Sequence, residues 1–213
     1  MNKIICFTFD DGFYTHFTKT RQLFKDYNIQ GTHYVIVEKI GSSSVPPFQR
    51  SMNWTELKIL QSEGWEISSH GLEHKPMSKL TPEEAELELT TSKNILLAHR
   101  INPVGFAYPY GDAGNYRNLV LKYYAYARAT NDIVIPFKWN LNLIPCISLD
   151  TWSFECIRPY LTHSTLSPIL VFRAHRPNGY IEEIIEEIIV FAQQYNTKIM
   201  PLCEALKTQG LIQ

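Results

Sequence analysis

Short apolar runs alternate with longer amphipathic stretches along the whole chain, and this alternation most narrows the folds open to it. Eight runs read as strands: Lys3–Phe9, Gly31–Val37, Trp65–Ser69, Val104–Tyr108, Tyr126–Thr130, Ile144–Ser148, Ile169–Ala174 and Lys198–Pro201. They are rich in Ile, Val, Phe and Tyr and are bounded by Gly, Pro, Asn or Asp. Helix signals lie between them. Thr81-Pro82-Glu83-Glu84 is a capping box with proline at the first helical position, so a helix is expected to run from there to about His99. Its Ala85, Leu89 and Leu96 recur on one face. Asn53-Trp54-Thr55-Glu56 is a second cap, with Leu57 and Leu60 inward and Gly64 as the stop. Tyr180 to Tyr195 forms a third helix, carrying Ile184, Ile185, Ile188 and Ile189. Strands separated by helices pair in parallel through right-handed crossovers, which gives an α/β fold.

At 213 residues, 45% hydrophobic and 19% charged, the chain reads as a single domain over residues 1–213, large enough to fold without disulfide staples. The formal charge is −1 and no lysine or arginine run is present, so nothing points to nucleic acid. Cys6, Cys146, Cys156 and Cys203 lie far apart with no CxxC pair, and buried reduced thiols are expected. Only Ile4 to Phe9 separates Met1-Asn2-Lys3 from Asp10-Asp11, too little for the roughly 7–15 apolar residues of a secretory signal. No apolar run approaches the ~20 residues of a membrane helix. A cytoplasmic location is the expectation.

Four strand ends carry polar residues with chemical potential. Phe7-Thr8-Phe9 stops abruptly at Asp10-Asp11-Gly12. The plain reading is a turn. The functional one is that adjacent carboxylates point opposite ways, one ligating a metal and the other serving as a base. Ser69-His70-Gly71-Leu72-Glu73-His74 follows another strand, and two histidines four apart can reach one ion. One such pair is common by chance among seven histidines. With an Asp from another strand end it becomes His₂Asp, which leaves positions for water and substrate as a hydrolytic site does. Phe106-Ala107-Tyr108-Pro109-Tyr110-Gly111 leaves its strand through a glycine-containing turn. This is either a plain turn or a backbone N–H donor for an oxyanion. Leu170-Val171-Phe172-Arg173-Ala174-His175 ends a very apolar strand in a histidine, structural or a general acid.

A doubly wound open sheet and a closed (β/α) barrel fit the periodicity equally. Residues after strands one, three, four and seven converge only if the sheet curls, because opposite edges of an open sheet do not share an ion. The distribution of polar residues therefore favours a barrel of about seven to eight strands with one site at its C-terminal face.

Phe-Thr-Phe-Asp-Asp-Gly, Ser-His-Gly-Leu-Glu-His, Ala-Tyr-Pro-Tyr-Gly and the strand closing on His175 resemble the first, second, third and fifth motifs of the polysaccharide deacetylase family, the NodB-homology carbohydrate esterases. The resemblance runs from Phe7 to about Leu206. It implies a distorted (β/α) barrel that holds zinc, or else cobalt, nickel or manganese, through Asp11, His70 and His74. It also implies Asp10 as general base, His175 as general acid and the Tyr110 backbone N–H at the oxyanion. The bonds implied are N-acetyl, or related formyl, amides of an amino sugar in a glycan, a soluble precursor or a lipid- or nucleotide-linked saccharide.

The chain departs from the family pattern in two places. An arginine that braces the catalytic base in relatives is replaced by Ala107, with Arg128 and Arg173 as the candidates to stand in. The fourth motif, an Asp/Trp pair lining the pocket, has Asp150-Thr151-Trp152 as its nearest match. His33 is expected to be packing; His16, His99 and His163 are expected at the surface. Two rival readings are a non-catalytic carbohydrate-binding barrel, which would lose Asp10 or His175, and a metal-independent hydrolase of cyclic amides, which would lose ligands. All of these residues are present.

Overall fold

The computed structural model describes residues 3–43, 50–130, 140–162, 167–175 and 179–213. Eight strands appear within the expected runs: β1 Ile4–Phe9, β2 Thr32–Val35, β3 Glu66–Ser69, β4 Gly105–Ala107, β5 Tyr126–Arg128, β6 Ile147–Ser148, β7 Ile169–Ala174 and β8 Lys198–Ile199. The helices are α1 Arg21–Asp26, α2 Trp54–Ser62, α3 Pro82–Ala98, α4 Arg117–Val120, α5 Phe154–Thr162, α6 Gly179–Gln194 and α7 Leu202–Thr208. Both anticipated capping boxes form, at Asn53/Glu56 and Thr81/Glu84.

The strands pair in the order β5-β4-β3-β2-β1-β7-β6, and all the pairings are parallel. The first half of β1 pairs with β8 (Ile4 with Lys198), the second half with β2 (Thr8 with Thr32). The sheet curls until its outer strands approach. A parallel bridge joins Arg128 to Ile144, and Ala129 N–H donates to the Ile144 carbonyl at 2.8 Å. The expected barrel is thus present as a distorted one.

Parallel strands covered on both faces must be apolar on both, and all six residues of β1 are buried. Alternation then sorts them. Ile5, Phe7 and Phe9 pack outward with Phe24, Leu57, Leu60, Trp65 and the α6 isoleucines Ile184, Ile185, Ile188 and Ile189. Ile4 and Cys6 face the barrel interior with Tyr34, Ala107, Tyr126, Ile169 and Val171. Leu202, Ala205 and Leu206 of α7 plug the N-terminal mouth.

Beneath that plug the buried Glu66 carboxylate accepts from Tyr126 Oη (2.6 Å), Ser68 Oγ (2.8 Å), Thr32 Oγ1 (2.9 Å) and the Cys203 N–H (2.9 Å). The Cys203 amide in the first turn of α7 is among its donors and the Leu202 amide donates to Thr32 Oγ1, so this end is sealed by a fully satisfied buried carboxylate.

Two expectations change here. His16 is completely buried, because the turn after Gly12 folds back and lays its ring on Phe9 (5.1 Å) and His33 (5.5 Å). Cys156 is exposed on α5, although the cysteines are unpaired as expected. His33 is buried packing, stacked on Trp65 at 5.0 Å, and His99 is partly exposed, stacked on Trp54 at 3.6 Å. His163 lies outside the described residues.

Candidate active site

The interior phase of the strands determines which residues meet. Asp10 follows Ile4, Cys6 and Thr8; His70 follows Glu66 and Ser68; Arg128 follows Tyr126; Arg173 follows Ile169 and Val171. Each lies in step with residues that face inward, at the C-terminal end of the barrel, where strand ends of this architecture carry chemistry.

Asp11, His70 and His74 offer one donor atom apiece, all within 4.8 Å of one another. Asp11 Oδ1 lies 3.6 Å from His70 Nε2 and 3.5 Å from His74 Nε2, and the two imidazole nitrogens are 3.2 Å apart. A tetrahedral ion with bonds of about 2.0–2.1 Å has donor–donor edges of roughly 3.3–3.4 Å, so this triangle is sized for one. His70 Nδ1 faces the Ala107 carbonyl at 2.8 Å, which makes it the N–H and leaves Nε2 with the lone pair. Burial lowers His70 to about 3 and His74 to about 4, with Asp10 opposing in both cases, so both rings are neutral ligands near neutral pH. The donor set fits a divalent metal.

Backbone strain marks the same place. Asp11, His74 and Tyr110 adopt φ of 66°, 68° and 58°. The other described non-glycine residues at positive φ (Asn28, Arg100 and Asn196) follow helix ends, where that conformation is ordinary. Three left-handed residues around the Asp11–His70–His74 triangle are stored strain held by the surrounding fold.

Asp10 is fully buried and its Oδ1 accepts from Arg128 Nη2. Its Oδ2 lies 3.9 Å from Arg173 Nη1 and 3.7 Å from His175 Nε2. Burial pushes the carboxyl up, but Arg128, His70, His175 and Arg173 together outweigh it and hold Asp10 well below the usual carboxylate range. Both candidate arginines therefore reach Asp10, and Arg128 is the one hydrogen-bonded to it. Arg173 instead ties in Ser148 Oγ at 2.8 Å and lies 3.8 Å from Asp150.

His175 is anchored by Asp150, whose Oδ2 is 2.9 Å from Nδ1 and whose Oδ1 accepts the His175 N–H at 3.3 Å. Burial raises the Asp150 carboxyl, and the His175 bonds and charge bring it below its ordinary value. With Nδ1 turned to Asp150, Nε2 faces Asp10.

Tyr110 is exposed at the rim, its ring 4.5 Å from that of His74. Trp152 is half-buried, edge-on to Tyr160 at 5.6 Å and packed against the outer core. Of the expected residues, the structure gathers Asp10, Asp11, His70, His74, Arg128 and His175 into one site, with Tyr110 on its edge. Trp152 makes its ring contacts with the core. The sequence carried no signal for Ser148.

The family model for polysaccharide deacetylase matches residues 1–129. The Bacillus subtilis (strain 168) protein named "Putative polysaccharide deacetylase YxkH" is 25% identical over 111 residues, which are 51% of this chain and only 37% of that protein. Among solved structures, a T48 deacetylase with substrate superposes with a TM-score of 0.70 at 17% identity, covering 97% of this chain and 92% of the other. A family 4 carbohydrate esterase from Streptomyces lividans in complex with acetate gives 0.68 at 15% identity, covering 93% and 92%. The Bacillus subtilis peptidoglycan deacetylase PdaC gives 0.65 at 18%, covering 98% and 93%. The structural likenesses show the shared fold, and the family model, which spans more than half of the chain, shows that this protein belongs to the polysaccharide deacetylase family.

Proposed function

We propose that this protein is a metal-dependent hydrolase that removes N-acetyl, or related formyl, groups from an amino sugar in a glycan or in a lipid- or nucleotide-linked precursor. One observation carries the reading: Asp10 Oδ2 and His175 Nε2 stand 3.7 Å apart beside the Asp11–His70–His74 triangle. On this reading Asp10 is the base and His175 the acid beside a hydrolytic ligand set. The structural neighbours, named as deacetylases and a carbohydrate esterase, support the same reading.

Asp11, His70 and His74 would hold a divalent ion, zinc or one of cobalt, nickel and manganese, which would supply a Lewis acid for the acyl carbonyl and lower the pKa of water from ~15.7 towards ~7. The remaining work falls to the chain. Asp10, kept ionised by Arg128, accepts a proton as water oxygen bonds to the acyl carbon. The Tyr110 turn presents its backbone N–H to the carbonyl oxygen as negative charge develops there. His175, oriented through Nδ1 by Asp150, gives a proton to the amide nitrogen as the C–N bond breaks. The products are acetate and a free amine. Each proton transfer is expected to contribute about 10²–10⁴-fold. Trp152, two residues beyond Asp150, is proposed to border the sugar.

The test is acetate release from N-acetylated chito-oligosaccharides by the purified protein, with zinc and after chelation. Zinc-dependent release from the native protein, lost in Asp10→Asn, supports the reading. A zinc-loaded protein that binds these sugars but releases no acetate overturns it in favour of a binding barrel.

A further inference from the structure

The α3 face that packs on the sheet is apolar or small at Ala85, Leu89, Ser92 and Leu96, yet it also buries Glu88, which is 4% exposed. A carboxylate there needs partners, and it finds them in the turn between the two histidines. Glu88 Oε2 accepts the Leu72 N–H at 2.7 Å and the Glu73 N–H at 3.2 Å. The contact is tight: a Cβ at Gly71, where φ is +82°, would sit 3.0 Å from the same oxygen. The helix touches this turn a second time, because Ser69 Oγ donates to Ser92 Oγ at 3.0 Å and accepts the Gly71 N–H at 3.1 Å.

His70 does not depend on this arrangement. Its N–H donates to the Val35 carbonyl at 2.9 Å and its ring is fixed by the Ala107 carbonyl. His74 comes after the turn, in the left-handed conformation (φ +68°). Among the described residues its ring meets His70, Asp11 and Tyr110. What carries the chain from His70 to His74 is thus a turn gripped by a helix carboxylate.

We propose that Glu88 is a positioning residue that fixes the Leu72–Glu73 turn and thereby places His74 beside His70 and Asp11. The proposal rests on the reading of those three residues as a metal site. It assigns Glu88 no contact with substrate or ion. Partners that orient ligands typically account for 10–100-fold in metal affinity, and that is the scale expected here.

The experiment measures zinc affinity by competition with a chromophoric chelator, on the full chain, together with amide exchange and thermal unfolding of the metal-free protein. Glu88→Ala is expected to bind zinc ~10-fold or more weakly, with Leu72 and Glu73 amides exchanging faster. Glu88→Gln keeps one acceptor oxygen and is expected to fall between this variant and the native protein, a rescue that a purely structural role would not show in zinc affinity at equal thermal stability. Native zinc affinity in folded Glu88→Ala overturns the inference alone. If that variant does not fold, Glu88→Asp, which withdraws the carboxylate by one methylene, takes its place, and native affinity there overturns it equally. A native protein that binds no zinc overturns the metal reading and the inference together.

Discussion

Arg128 Nη2 donates to Asp10 Oδ1 although their strands are four places apart along the sheet. In a flat sheet four spacings of about 4.8 Å would separate them by ~19 Å, well beyond the reach of an arginine. The contact is therefore a measure of the curl, and it puts a positive charge against a fully buried carboxylate. Taking one partner from such a pair leaves an uncompensated buried charge.

Arg128→Met is expected to destabilise the protein by about 3–5 kcal/mol, the range for breaking a buried pair. The sign with pH follows from Asp10, whose folded value lies below its unfolded one. Its contribution is fully present above the ordinary carboxylate value of ~3.9 and is lost as pH falls through the depressed one. Without Arg128 burial is less opposed, so acid unfolding and the acid limb of the rate profile should both move to higher pH. Denaturant titrations across pH check this. An unmoved acid midpoint with a small loss of stability would show that Arg173 and the histidines suffice.

Asp10→Asn keeps shape and removes the base. Turnover should fall by about 10²-fold or more, while zinc content measured by elemental analysis stays near the native value. Zinc lost together with activity would mean that Asp10 and Asp11 have exchanged roles.

The outer-covered strands were legible because a parallel sheet covered on both faces demands continuous apolar runs, and β1 and β7 obey that rule. The helices α2 and α3 were legible because each opens on a reciprocal cap. α1 and α4 carry no side-chain cap, and they form through packing of Phe24 and Val120 rather than through local signal. The site was legible as a set of strand ends. The choice between Arg128 and Arg173 was not, since both occupy inward phases, and only curvature decides which touches Asp10. His16 looked like a surface residue because its burial depends on a turn folding back onto Phe9, a tertiary event that no local pattern encodes.

That buried histidine and its neighbour give a pH prediction for the metal-free protein. Burial lowers His16 to about 3 and His33 well below its ordinary value. The unfolded rings take up protons near pH ~6.5 and the folded ones do not. Their contribution is therefore present above about pH 6.5 and declines as pH falls towards the folded values. His33→Phe removes one such group and keeps an aromatic ring against Phe9 and Trp65. The drop in melting temperature between about pH 7 and pH 5 should shrink in this variant. An equal drop in both proteins would show that His33 protonates in the folded state.

His175 carries the most specific prediction. Its Nδ1 lies 2.9 Å from Asp150 and its Nε2 3.7 Å from Asp10, so the ring spans two carboxylates. Arg173 Nη1 lies 2.7 Å from both ring nitrogens. The proposed general-acid role has Nε2, on the side of the ring facing Asp10, deliver a proton to the leaving nitrogen. An amide needs that proton, since an amine anion does not depart unprotonated, whereas an activated aryl ester releases a stable phenolate without it. His175→Ala should thus lose about 10²-fold or more on an N-acetyl amide and much less on the ester. Asp150→Asn, which weakens the anchor without removing the acid, should show the same selectivity at smaller amplitude. Equal losses on both substrates would remove the general-acid role and leave His175 as a structural or oxyanion-binding group.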